Sequence, residues 1–286
     1  MTITITIANE KGGVGKTTTA VNLAAGLALR LADDGRDARR VLLVDMDPQV
    51  HALLAVGYDR HEEAAPVSLA NLLTETPPPS IQRLIRRSQY HPNLFYIPSD
   101  RAAMIRAARE LPTLMANETR LQKVLAPILE EYAYIIIDTP PNTGDLLINA
   151  LVAADHVIIP VETSYLGVSG LIELERTIEQ VQTHFKPGLD ILGYLPTLCE
   201  EHRSEAREIL LEMQARYKKQ LLPSIHKTSD LAYAHSSHMD VFTYRPPRAR
   251  SNEQIASSSR ATREYAALVE IILKKTGAKT RARQGK

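Results

Sequence analysis

Glu10 to Thr18 reads EKGGVGKTT. Glycines, a lysine and hydroxyls at this spacing can hold phosphate. Gly12, Gly13 and Gly15 allow sharp turns that present successive N–H groups to phosphate oxygens, with Val14 inside the same loop. A helix opening after the loop adds its positive dipole end. Lys16 would reach β- and γ-phosphates, the Thr17 hydroxyl would ligate Mg²⁺, and Thr18 could bond an α-phosphate. A lysine beside three glycines has no packing rationale, because an unpaired buried ammonium is costly. The usual G-x-x-x-x-G-K-[ST] pattern is not met. Glu10 stands where its first glycine would fall, and a second lysine, Lys11, opens the loop.

Three carboxylates could serve such a loop. Asp138 ends the apolar run YIIID, which places it at the carboxyl edge of a sheet, where ligands bind in α/β folds. It fits a Mg²⁺ ligand acting through water, or a cap on the next turn. Asp45 and Asp47 flank Met46, and residues two apart at an extended strand end point the same way. Both could face the nucleotide, or form a solvated turn before Pro48. His226, His235 and His238 have no usual metal-ligand spacing and read as solvated or locally bonded. Cys199 is the single cysteine, which excludes a disulfide framework and any four-cysteine metal site within one chain.

Alternating strands and helices must position these groups. Thr2 to Ala8 alternates as TITITIA and predicts a half-buried strand. RVLLVD, LFYIP, YIIID, HVIIPV and Ile191–Leu195 predict further strands, several covered on both faces. Helical spacing fills 16–32, 117–131, 170–185, 205–219 and 252–275. Val56 to Arg87 predicts a variable excursion. The fold expected is α/β: a single-domain P-loop NTPase with a mainly parallel twisted sheet flanked by helices on both faces. Residues 1–273 form that domain, and 274–286 (KKTGAKTRARQGK) a basic, disordered tail. Lys and Arg number 34 against 33 Asp and Glu, so any pull towards nucleic acid or membrane must be local. No run approaches the ~20 apolar residues of a membrane span, and no signal peptide precedes the loop. A soluble cytoplasmic protein is expected. Without Trp, an aromatic platform for bases is not expected.

KGGVGKTT resembles the deviant Walker A motif of the ParA/MinD family of ATPases. VLLVDMDPQ (41–49) looks like the ParA switch region, and YIIIDTPPN (134–142) like its Walker B strand and following loop. NALVAADHVIIP (149–160) and Tyr244-Arg245-Pro246 continue the likeness, which spans residues 2 to about 273. The resemblance implies an ATPase with ATP and Mg²⁺. By it, Asp47 positions the attacking water, Asp45 and Asp138 serve the metal shell, and Lys11 reaches across a homodimer to the partner's nucleotide. Thr139, Pro140 and Pro141 would stiffen a second switch loop. It also implies non-specific DNA binding, a ParB-like or other adaptor that stimulates hydrolysis, and a nucleoid-associated location.

Candidate DNA contacts are Lys218 and Lys219, Lys227, the RPPRAR run with Arg245, Arg248 and Arg250, and Lys274, Lys275, Lys279, Arg281 and Arg283. The relatives' R-N-V-R-L-S-E-A appears as Lys227 to Ala234, KTSDLAYA, with Asp230 at the second arginine. The loop begins too early for a preceding helix-turn-helix, so operator-specific binding is not expected. The alternative is a MinD-like membrane-cycling ATPase, but Ala266–Leu273 reads as part of a helix packed on the sheet, leaving nothing to insert.

Overall fold

The computed structural model describes residues 2–33, 40–58, 67–165, 167, 170–245 and 259–277. Its seven-stranded sheet has the order β3-β4-β2-β5-β1-β6-β7. The strands are β1 (Ile3–Ile7), β2 (Arg40–Asp45), β3 (Arg86–Arg87), β4 (Leu94–Tyr96), β5 (Tyr132–Asp138), β6 (His156–Glu162) and β7 (Asp190–Thr197). All pairings are parallel except β3 on β4.

Helices cover both faces, as a parallel sheet requires. Ile5, Ile7, Val41, Leu43, Tyr134, Ile136 and Ile158 face α1 (Lys16–Asp33), α2 (His51–Leu54) and the last described helix (Arg260–Lys275). Leu42, Val44, Ile135 and Ile137 face α3 (Leu69–Thr74), α4 (Arg101–Glu110), α5 (Arg120–Leu125) and α6 (Asp145–Ala153). Val157, Ile159 and Val161 pack on α6, α7 (Leu171–His184) and α8 (Ser204–Tyr217). One more helix, α9 (Ser229–Ser236), precedes that last helix, which is α10 (Arg260–Lys275).

The first strand departs from its expected half-burial. β1 lies inside the sheet, so its threonine face is covered by α6. Thr4 and Thr6 are buried, and the Thr6 hydroxyl donates to the Ala150 carbonyl at 2.8 Å. That bond removes the cost of burying a hydroxyl. The helix expected over 117–131 is shortened to α5 between two 3₁₀ turns. Pro127, which lacks an N–H, is the second residue of the second turn, which begins at Ala126. Within the expected excursion, residues 67–87 form α3, a 3₁₀ turn and the antiparallel edge strand β3. The final helix begins at Arg260 and runs to Lys275, past the expected start of the tail; residues 246–258 and 278–286 lie outside the described set.

Candidate nucleotide-binding site

The parallel register sets the site. Ile7 and Asp45 both pair with Asp138, so β1, β2 and β5 end side by side. From the end of β1 the chain turns through Glu10–Gly15 into α1. Gly13 and Gly15 hold φ of 76° and 85°, a region open to glycine at little cost. The Thr197 hydroxyl at the end of β7 donates to the Val14 carbonyl at 2.8 Å and steadies the loop. The Gly15 carbonyl accepts from Thr19 N–H at 2.9 Å, which starts the helix.

Lys16 is only 6% exposed, and its ammonium donates to the Lys11 carbonyl at 2.8 Å. Burial lowers its pKa, against the opposing pull of Asp138 and Asp47. Asp138 is fully buried, and neither carboxylate oxygen meets a donor in full hydrogen-bond geometry, although the Thr17 hydroxyl and the Thr139 N–H lie close by. Burial, helped by Asp47, pushes its carboxyl up to about 7, while the neighbouring Thr17 hydroxyl and Lys16 favour the ionised form. A buried carboxylate with no hydrogen bond of full geometry, beside a threonine hydroxyl and a lysine, is a fit for a hard cation such as Mg²⁺.

Asp45 is arranged differently. Its two oxygens accept from the N–H groups of Asp47 and Ala52, each at 3.0 Å. Burial and the nearby Asp138 and Asp47 raise its pKa well above the usual range. Asp45 thus braces the turn that presents Asp47. Asp47 is half-buried and accepts from Gln49 N–H at 2.9 Å. Val50 follows with φ 56°, a left-handed conformation that strains a β-branched residue. Thr139 donates to the Ile7 carbonyl at 2.8 Å and locks the β5 exit before Pro140 and Pro141.

A cleft of about 500 Å³ gathers Gly12, Gly13, Gly15, Lys16, Thr17, Thr18 and Asp47 with Pro141. Its far wall is Leu198, Lys227 and the Thr228, Leu231, Ala232 and His235 face of α9. This volume lies in the range of small-molecule sites. α9 was invisible as a wall in the sequence, because its Thr228 cap and short length give little periodic signal. The hydroxyl of Thr228 accepts from Leu231 N–H at 3.2 Å. An adjoining cavity of about 170 Å³ is lined by Val21, His51, His235, His238 and Met239. Burial and the two neighbouring histidines lower the His235 pKa. His226 stands apart, its ring nitrogens 2.7 Å and 2.6 Å from Glu264 and Glu201. Among the described residues no group of three or more His, Cys, Asp or Glu is placed to hold a metal ion.

Among the described residues, the candidate DNA contacts lie in separate places. Lys227 sits in the nucleotide cleft, 3.9 Å from Glu200. Lys218 and Lys219 form a 3₁₀ turn, and the Lys275 ammonium donates to the Lys219 and Leu192 carbonyls. Leu192 lies near the start of β7, so this group is at the other end of the sheet. Lys274 shares the last turn of α10. Arg245 donates to the Phe242 carbonyl at 2.8 Å. Arg248, Arg250, Lys279, Arg281 and Arg283 lie outside the described residues.

Fold and site together define a P-loop nucleotide-binding protein. The model of an AAA domain family matches residues 2–191. The chain is 39% identical over 221 residues to the chromosome partitioning protein ParA of Myxococcus xanthus, covering 77% of this chain and 74% of that one. It is 34% identical over 250 residues to the sporulation initiation inhibitor protein Soj of Bacillus subtilis, covering 87% and 93%. A crystal structure of cobyrinic acid a,c-diamide synthase from Mycobacterium smegmatis with bound ADP and magnesium superposes with a TM-score of 0.74 at 29% identity, covering 97% and 96%. The chain belongs to the ParA/Soj-type family of P-loop ATPases. Membership makes it an ATPase that works with ATP and Mg²⁺.

Proposed function

We propose that this ATPase is a dimerising switch of ParA type that binds DNA without sequence preference in its ATP state and moves or positions a cargo. The observation that carries the reading is Asp138: fully buried, without a hydrogen bond of full geometry, and set between Thr17 and Lys16 at the mouth of a glycine loop. Thr17 and Asp138 would hold Mg²⁺, which supplies charge neutralisation on the phosphates. Loop N–H groups from Gly12 to Gly15 and the start of α1 would cradle phosphate oxygens, with Thr18 beside them. Lys16 would leave the Lys11 carbonyl for the β- and γ-phosphates. Asp47, presented by the braced Asp45 turn, would orient the attacking water. Leu198 and Leu231, with Thr228 between them in the cleft wall, would face the base and ribose.

Two ATP molecules face to face concentrate negative charge, and Lys11 donated from each partner offsets it. Hydrolysis would release the pair. A ParB-like or other adaptor would stimulate that step. In the cell such a protein would be cytoplasmic and nucleoid-associated. Residues 1–273 would act as the ATPase domain, with a basic extension beyond.

No helix among the described residues is long and apolar enough to cross a membrane. The apolar stretch Ala266–Leu273 is spent on packing: Leu268, Val269 and Ile272 are buried against α1 and its neighbours. That favours DNA over the MinD-like alternative.

The test is binding to random duplex DNA by the wild type and Lys11→Ala, with ATP–Mg²⁺, with ADP and without nucleotide, across a salt series. The reading requires binding only with ATP, a log–log salt slope of about 0.9 per phosphate contacted, and loss in Lys11→Ala. Dimerisation without any DNA binding would reject the DNA half of it.

A further inference from the structure

Lys11 already has an anion inside its own chain. Its ammonium lies 2.6 Å from Glu162 Oε2. Its backbone N–H donates to Asn9 Oδ1 at 2.9 Å, and the buried Asn9 amide donates to the Pro160 carbonyl at 2.7 Å. Backbone and side chain of Lys11 are both tied to the end of β6. The Lys11 carbonyl in turn holds Lys16. Each lysine of the loop is therefore satisfied within the chain.

Glu162 is itself well placed to stay there. It is the last residue of β6, and its carbonyl accepts from Ser164 N–H at 2.8 Å. Gly167 packs so tightly on that carbonyl that a Cβ at residue 167 would overlap it. The backbone carrying the carboxylate is fixed from both sides.

We propose that Glu162 is a positioning residue that holds Lys11 in cis and so sets the ATP concentration at which two chains join. This rests on the reading that Lys11 acts across the dimer. The charge and the donor that Lys11 spends on Glu162 at 2.6 Å are drawn away from a partner's phosphate. The carboxylate competes from a fixed, short distance. ATP brings more charge than ADP to that competition, so the contact sharpens discrimination between them. The side chains of Lys11 and Glu162 are 29% and 33% exposed, so water and salt screen the pair. Its hold is then worth a few-fold in affinity, which suits a threshold rather than a lock.

The experiment is sedimentation velocity of the full chain over a series of ATPγS concentrations with Mg²⁺, at low and high salt. Wild type is compared with Glu162→Gln, Glu162→Asp, Lys11→Ala and the Lys11→Ala/Glu162→Gln double variant. Glu162→Gln keeps shape and removes charge. Its half-maximal nucleotide concentration should fall about two- to fivefold at low salt. The difference should close at about 1 M salt, where the Debye length is about 3 Å. Glu162→Asp should fall in between. A purely structural role would shift thermal unfolding without this salt dependence. An unchanged or raised threshold in both Glu162 variants overturns the proposal. Wild-type dimerisation by Lys11→Ala overturns instead the reading beneath it. If Lys11→Ala fails to dimerise while Glu162→Gln keeps the wild-type threshold, only the role of Glu162 is rejected. The double variant should match Lys11→Ala alone.

Discussion

Asp138 holds two buried carboxylate oxygens with no hydrogen bond of full geometry, where β1, β2 and β5 end together. Its carboxyl, at about 7, lies above the ordinary value of 3.8. Between those values the folded chain binds more protons than the unfolded one. Nucleotide-free stability should therefore fall as pH rises from about 4 to about 7, and level off above. Asp45, shifted the same way, adds to the fall. Thermal unfolding at several pH values without nucleotide checks this. Stabilisation by Mg²⁺–ATP should grow across the same window, because the metal needs the ionised form. Asp138→Asn removes the buried charge. It should raise nucleotide-free stability at pH 8 by about 1–3 kcal/mol and abolish Mg²⁺-dependent hydrolysis. Calorimetry and phosphate release measure the two effects. A drop in stability without nucleotide would contradict this account of Asp138.

The frame that carries the site is also held by close backbone approach at the far end of the sheet. At Gly193 in β7 a Cβ would stand 2.6 Å from the Gln220 carbonyl and from Leu222. Because a backbone atom is the obstacle, Gly193→Ala should cost about 1–3 kcal/mol, read by urea unfolding. No change would mean that the 218–222 segment yields easily. Much of this frame was legible in the sequence. Continuous apolar runs marked the central strands, because both faces of a parallel sheet are buried. Glycines followed by a lysine marked the loop. TITITIA misled, because alternation normally signals a wet face, whereas Thr6 hides its hydroxyl in a bond to Ala150. α4 went unseen, since only Met104 and Ala107 are fully buried, its other inward residues are alanines, and arginines fill much of its outer side. The wall formed by α9 depends on contacts between residues 198 and 227–235, which no local pattern encodes.

At the scale of the whole molecule, the described lysines among the candidate DNA contacts lie at two ends of the sheet. Lys218, Lys219, Lys274 and Lys275 gather near the start of β7, while Lys227 lines the cleft at the other end. Lys227→Ala should therefore raise the ATP requirement several-fold and leave the salt slope of DNA binding unchanged. Lys218→Ala/Lys219→Ala should lower that slope by about 1–2 units and leave ATP binding alone. Titrations of both ligands separate the outcomes. An exchange of the two phenotypes would move DNA to the nucleotide end.

The central claim is that each site is completed by the other chain's Lys11. Mixing two inactive variants tests it most directly. Lys11→Ala keeps Asp47 but lacks the donated lysine, while Asp47→Ala keeps Lys11 but cannot orient water. In a mixed dimer, the site on the Lys11→Ala chain receives Lys11 from its partner. Phosphate release with Mg²⁺–ATP and duplex DNA should be near zero for each variant alone. An equal mixture should release phosphate well above either variant alone, because every mixed dimer has one complete site of its two. A mixture as inactive as its components, with mixed dimers shown to form, would contradict the account.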